Sequence, residues 1–357
     1  MVLSVSRKAT TISGLLLLLI ALALAAEPHL PPMRDFDQTF YPAIRYLLAG
    51  ENPYTGAYQE TGQGAPPAFF SPAWLLLILL PVGLFPPAIA RALWMLFLIG
   101  ITFAGIAQLR WWGLKGVWPL VLAVLPWSLI GILFGQVTAI VFFGAMIALT
   151  EAAKPIRNHR SAFIILLGLI LMNTKPQLGI FIALPLALWL LWQRDRRLLT
   201  IAAGGTIVFG AVLMVTPLWL IQSAIETQKM TVPLWMSTVE RELHLWGLPA
   251  WIAWFVRVAV IAVMGLWAWR TRTLTPAWWS AWLAAVLIIT PYTRAYDGVL
   301  LLPILGLLVA QYRLRALVFL VVVVLYAAIS ELGTVVTPLV AWLLFVPWQR
   351  LVTSGEI

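Results

Sequence analysis

Along the chain, apolar residues fall in long unbroken runs rather than in alternating positions. The runs lie at about 10–26, 88–109, 117–134, 137–152, 161–174, 177–193, 198–219, 249–269, 276–291, 297–311, 316–333 and 336–347, with short polar stretches between them. Each approaches the roughly 20 residues an α-helix needs to cross a hydrocarbon core. The alternation expected of membrane strands is missing, and in lipid a helix is then the element that satisfies its own backbone. The pattern predicts an all-α polytopic membrane protein of about 12 transmembrane helices, built as a single integral membrane domain over residues 1–357.

Two segments modify that picture. The run 71–85, SPAWLLLILLPVGLF, contains Pro81 and is predicted to lie in the outer interface, because counting it as a span would reverse the side of every later basic cluster. A thirteenth span with a topology exception is the alternative. The first run ends in Ala21-Leu-Ala-Leu-Ala-Ala, so it reads either as an anchor or as a leader with a small-residue cleavage site. Two loops are long enough to build something: 27–87, the first outer loop with its juxtamembrane helices, and 220–248. In the first, Phe40, Ile44, Leu47 and Leu48 recur at helical spacing, predicting a membrane-surface helix from about Thr39 to Ala49 closed by Gly50.

Composition agrees, with 62% hydrophobic and 10% charged residues, 20 Trp and 16 Phe, and a mean hydropathy of +0.96. The net charge of +10 is distributed in short clusters rather than on one basic face, which excludes a nucleic-acid partner. Counting from Arg7 and Lys8 inside, Arg110, Lys115, Lys154, Arg157, Arg160, Arg194, Arg196, Arg197, Arg270, Arg272, Arg313, Arg315 and Arg350 share the cytoplasmic side. Glu27, Asp35, Asp37, Glu51, Glu60, Glu226, Glu240, Glu242, Asp297 and Glu331 then fall outside. Acids contribute little to topology, so their outward excess asks for a functional cause at an outer face of the cytoplasmic membrane. There is no cysteine, hence no disulfide framework and no thiolate metal site.

Asp35 and Asp37 open the predicted surface helix in RDFDQTFY. Capping a helix start is one role for such carboxylates. The other is general-base catalysis, removal of a proton from an acceptor hydroxyl. Lys175, Arg294, Lys229, Arg241 and His244 are the outward cations or donors able to stabilise an anionic leaving group. Structural roles stand beside these: a snorkelling Lys175, an Arg294–Asp297 pair, a loop histidine at 244. Gln136, following Gly135, suits a sugar hydroxyl or a turn. Tyr54, Trp235, Trp246 and Trp251 suit a sugar face or the membrane interface. The three histidines, His29, His159 and His244, form no metal-ligand pattern, and no metal or cofactor is expected. No soluble α/β domain of the kind that binds nucleotide sugars is present, so a sugar donor would have to be presented at the membrane.

The order of short motifs adds a resemblance. Asp35-Phe36, Phe40-Tyr41, Ala43, Leu47-Leu48-x-Gly50, Asn52-Pro53-Tyr54 and Phe70-Ser71-Pro72 are followed by Gly135-Gln136 and Lys175-Pro176. Pro291-Tyr292, Tyr296-Asp297 and Leu300-Leu301-Leu302-Pro303 complete the series. Over about residues 12–312 this resembles the GT-C glycosyltransferases of family 87. The resemblance implies an inverting transfer of a hexose such as mannose from a polyprenyl-phosphate donor to a lipid or glycan acceptor on the outer face. It implies Asp35 as base, with Asp37 second, and Lys175, Arg294, His244, Arg241, Gln136, Tyr41 and Tyr54 as substrate-contact positions. The chain departs from the family at Phe70-Ser71-Pro72-Ala73, where Tyr-Pro-Pro is common. A transporter or flippase is the alternative from a different class.

Overall fold

The computed structural model describes residues 32–54, 69, 71–154, 159–215, 238–291, 293–312, 314–319, 321–322 and 336–347, with single positions or short pieces at 18, 21, 24–25, 27–29, 218, 222 and 225. Most of the run 10–26, the loop residues 55–68 and Phe70, the loop up to 237 with Lys229 and Trp235, Tyr292, and most of 316–333 lie outside the described residues. Every regular element among the described residues is helical, and no strand occurs among them. Two helices, Pro87–Gln108 with 22 residues and Ile252–Thr271 with 20, are long and apolar enough to cross a membrane. At 1.5 Å per residue they span about 30 Å or slightly more.

Contacts divide the chain into two compact units. One comprises Met1–Ile101, Ile132–Gln136 and Val215–Lys229, and the other Thr102–Gly131, Val137–Met214 and Met230–Ile357.

In the first unit the predicted surface helix is present as Tyr41–Leu48, entered through a π-helical turn over Phe36–Phe40. Gly50, at φ +77°, closes it, its N–H donating to Leu47 O at 3.0 Å. The stretch 71–85 contributes the 11-residue helix Ala73–Gly83, which at 1.5 Å per residue is about half of what a hydrocarbon core requires. Ile44 packs directly on Gly83, where an added Cβ would lie 2.7 Å from Ile44 Cγ1, and Arg45 Nη1 donates to Gly83 O at 3.2 Å.

The second unit is organised around two helices that are buried nearly all round, Thr138–Ala152 and Pro276–Ile289. A helix apolar on every side belongs inside an assembly. Thr138–Ala152 packs on His159–Met172 through Gly144 and Gly168: a Cβ on Gly144 would meet Gly168 O at 2.7 Å, and one on Gly168 would meet Gly144 O at 2.5 Å. Small residues at such a crossing let backbones approach and supply the van der Waals contact that lipid cannot. Pro276–Ile289 begins on Thr275, whose hydroxyl accepts from Trp278 N–H, and it is pinned by its indoles: Trp278 Nε1 donates to Met264 O at 3.0 Å and Trp282 Nε1 to Phe181 O at 2.9 Å.

The predicted run 117–134 is two helices, Trp118–Ala123 and Pro126–Phe134. Pro126 lacks an N–H and clashes with a preceding helical turn, so the helix restarts there. Apolar side chains also line the outsides. Helix Pro176–Trp192 buries Leu178, Ile182, Leu186 and Leu190, yet exposes Ile180, Leu184, Leu188 and Leu191. Helix Ile252–Thr271 buries Val260 and Met264 and exposes Trp254, Phe255, Val258 and Ile261.

Candidate functional site

The polar centre of the first unit begins at a glycine. Gly135 stands at φ +73°, a region that favours glycine, and an added Cβ would lie 2.5 Å from Phe36 Cβ and 3.2 Å from Phe36 N. Its carbonyl accepts from Trp94 Nε1 at 2.9 Å. Trp94 in turn stacks on the ring of fully buried Phe36, with centroids 5.7 Å apart and planes at 17°. Three residues from distant parts of the chain thus bring the backbones of 33–36 and 135 together.

That approach sets the next contact. Gln136, 7% exposed, donates from Nε2 to Asp35 Oδ2 at 2.5 Å. Asp35 is half-buried and occupies the position before the π turn, but its carboxylate makes no capping bond to that turn. The helix-cap role expected for it is therefore not the one observed. The turn starts on backbone geometry, with Asp35 itself at helical φ and ψ and Asp37 N–H donating to Met33 O at 2.8 Å. π turns recur at functional sites because the extra residue redirects neighbouring side chains. Asp37 takes a different partner, Arg91, whose Nε donates to its Oδ1 at 3.0 Å. In these two bonds the carboxylates of RDFDQTFY turn to different side chains.

Tyr41 and Tyr54 hold the same unit together. Tyr41 donates its hydroxyl to Phe85 O at 2.9 Å, and buried Tyr54 donates to Ser71 O at 2.7 Å while its ring tilts against Phe69.

The second unit has its own polar centre. Asp297, fully buried in the 3₁₀ turn Ala295–Leu301, accepts from Lys175 Nζ and from Thr138 Oγ1 on one carboxylate oxygen, the latter at 2.6 Å. Its other oxygen accepts from Arg294 N–H at 2.9 Å. Lys175 is 6% exposed and lies over the Tyr296 ring, 4.7 Å from its centroid. The snorkelling role open to Lys175 in the sequence is not observed. Arg294 meets Asp297 through its backbone N–H and not through the side-chain ion pair expected from the sequence; its guanidinium lies 5.9 Å from the Tyr296 centroid. Such a buried ion pair keeps its place only when both partners carry further hydrogen bonds, as Thr138 and the Arg294 amide provide for the carboxylate.

Arg241 and His244 sit on another element, the short helix Val239–Leu245, which starts on the Thr238 hydroxyl. His244 is exposed in its last turn. Glu240 on this helix is paired with Arg257, Nη2 to Oε2 at 2.6 Å. Among the described residues, no group of three or more metal-ligating acids or histidines is gathered.

Sequence reasoning missed Arg91, Trp94 and Thr138. Arg91 had a signal, being the one charged residue in the helix Pro87–Gln108, since a charge inside an apolar run demands a partner. Trp94 and Thr138 had none, because tryptophan and threonine are ordinary in such helices. Compared with known protein families, curated proteins and solved structures, the chain matches none of them.

Proposed function

We propose that this chain is a multi-pass membrane glycosyltransferase of the GT-C type resembling family 87, working at the outer face of the cytoplasmic membrane. It transfers a hexose such as mannose from a polyprenyl phosphate to a lipid or glycan acceptor. The observation that carries the reading is the Asp35–Gln136 contact: a half-buried carboxylate without a capping bond, held by a side-chain amide from residue 136. Apolar stripes on the outside of Pro176–Trp192 and Ile252–Thr271 support the membrane part, since lipid and not water suits such faces.

In this reading Asp35 is the general base. It takes the proton of the acceptor hydroxyl while that oxygen attacks the anomeric carbon, and the sugar–phosphate bond breaks with its electron pair leaving on the polyprenyl phosphate. Gln136 Nε2 holds the carboxylate through Oδ2. The phosphate leaves as an anion, so cations or donors suffice on that side.

The test is transfer of radiolabelled mannose from polyprenyl-phosphate mannose to membrane lipids by wild type, Asp35→Asn and Asp37→Asn. Loss of a positioned base costs about 10²–10⁴-fold. Selective loss in Asp35→Asn supports the assignment, and full activity in that variant ends it.

One observation favours the transporter or flippase reading instead. The buried Lys175–Asp297 pair is the kind of ionisable site that transporters keep inside their helices. On that reading solute movement survives Asp35→Asn, is lost in Lys175→Met, and no sugar is transferred by the wild type.

A further inference from the structure

The second unit contains a cavity of about 640 Å³ that the polar centres above do not use. Its walls are Trp267, Ala277, Gln311, Tyr312, Arg315 and the stretch Leu343–Pro347. These positions belong to the closing turns of Ile252–Thr271, Leu302–Gln311 and Val336–Phe345, the opening turn of Pro276–Ile289, and the residues just beyond them. Among the described residues the wall is apolar and aromatic apart from Gln311 and Arg315, and it includes no acid. Arg315 donates from Nη1 to Leu344 O at 2.9 Å, and its guanidinium lies 4.8 Å from the Tyr312 ring centroid. Arg270 and Arg272, both exposed, end the helix that supplies Trp267.

We infer that this cavity is a binding site for an anionic phospholipid, with the phosphate on Arg315 and the upper acyl chains against Trp267, Leu343, Leu344 and Phe345. Charge complementarity selects the occupant. Among the described lining residues Arg315 is the one cation. A cation at the rim of an apolar wall suits a ligand with one anionic end and a hydrocarbon body, and basic pockets between transmembrane helix ends take anionic head groups. Trp267 and Tyr312 are the residue types that settle at head-group depth. A free phosphate would satisfy Arg315 and leave the apolar wall wet. The volume lies within the range of small-molecule sites. The inference needs these helices to lie in a membrane, and it stands apart from sugar transfer.

The test uses the full-length chain in uncharged detergent, titrated with short-chain phosphatidylglycerol, short-chain phosphatidylcholine and inorganic phosphate, and followed by native mass spectrometry. Phosphatidylglycerol should bind about fivefold more tightly than phosphatidylcholine, the effect of one basic residue near an anionic surface. Arg315→Gln should remove that preference and Arg315→Lys should keep it. Leu343→Trp, which fills the cavity from an accessible position, should weaken both lipids. Equal binding of the two lipids, a preference that survives Arg315→Gln, or displacement of phosphatidylglycerol by inorganic phosphate would each overturn the assignment. If Arg315→Gln does not fold, the Arg315→Lys and Leu343→Trp results still decide it.

Discussion

Gln136 Nε2 donates to Asp35 Oδ2 at 2.5 Å across 101 residues of sequence. The contact holds one oxygen of the carboxylate. It also separates the roles of the two acids in RDFDQTFY, because Asp37 pairs with Arg91 instead.

The amide should therefore matter through orientation. Gln136→Leu is expected to lower kcat for sugar transfer about tenfold while leaving KM within a few-fold, smaller than the 10²–10⁴-fold loss from removing the base. Asp37→Asn should instead lower stability by about 1 kcal/mol, the scale of a partly exposed pair. Steady-state transfer kinetics together with thermal unfolding in detergent distinguish the two.

Gly135 is the backbone position on which the contact depends. Gly135→Ala combines a left-handed φ with a Cβ 2.5 Å from Phe36 Cβ, and should cost about 1–3 kcal/mol. Gly100→Ala, with open space around it in a helix, should be neutral or stabilising by up to about 1 kcal/mol. Equal melting temperatures for the two variants would contradict the close approach of 135 to 36.

The Lys175–Asp297 pair is buried at 7% and 0% side-chain exposure. Removing either partner alone leaves an uncompensated charge, a loss of about 3–5 kcal/mol. Lys175→Met with Asp297→Leu together should cost well under the sum of the single changes. A double-mutant cycle read by chemical unfolding measures this, and additive losses would argue against the pair.

Gly144 and Gly168 should tolerate no enlargement. Gly144→Leu places atoms where Gly168 O and Leu171 already lie, and is expected to cost at least about 1–3 kcal/mol. Gly210→Leu, with no described atom within 4 Å of its Cβ, is the comparison, and detergent melting temperatures report both.

Much of the helical layout could be read directly. The runs 88–109, 137–152, 177–193 and 276–291 match Pro87–Gln108, Thr138–Ala152, Pro176–Trp192 and Pro276–Ile289 closely, because prolines at helix starts and apolar length are local signals. The break before Pro126 was present in the same signals and went unread. The π turn over Phe36–Phe40 was not legible, since one extra residue per turn leaves the apolar spacing nearly unchanged over so short a piece.

The candidate site divides in the same way. Sequence alone identified Asp35, Gly135-Gln136, Lys175 and Asp297 as unusual polar residues in an apolar chain. Tertiary structure decided their partners: Asp35 with Gln136, Asp37 with Arg91 across 54 residues, and Thr138 and Lys175 with Asp297 across 159 and 122. The physical reason is the range of each interaction. Helix formation and its punctuation are settled within a few residues by backbone hydrogen bonds, glycine and proline. Which buried polar groups meet is settled by how helices pack, and steric features such as the 2.5 Å approach to Gly135 exist only once they have.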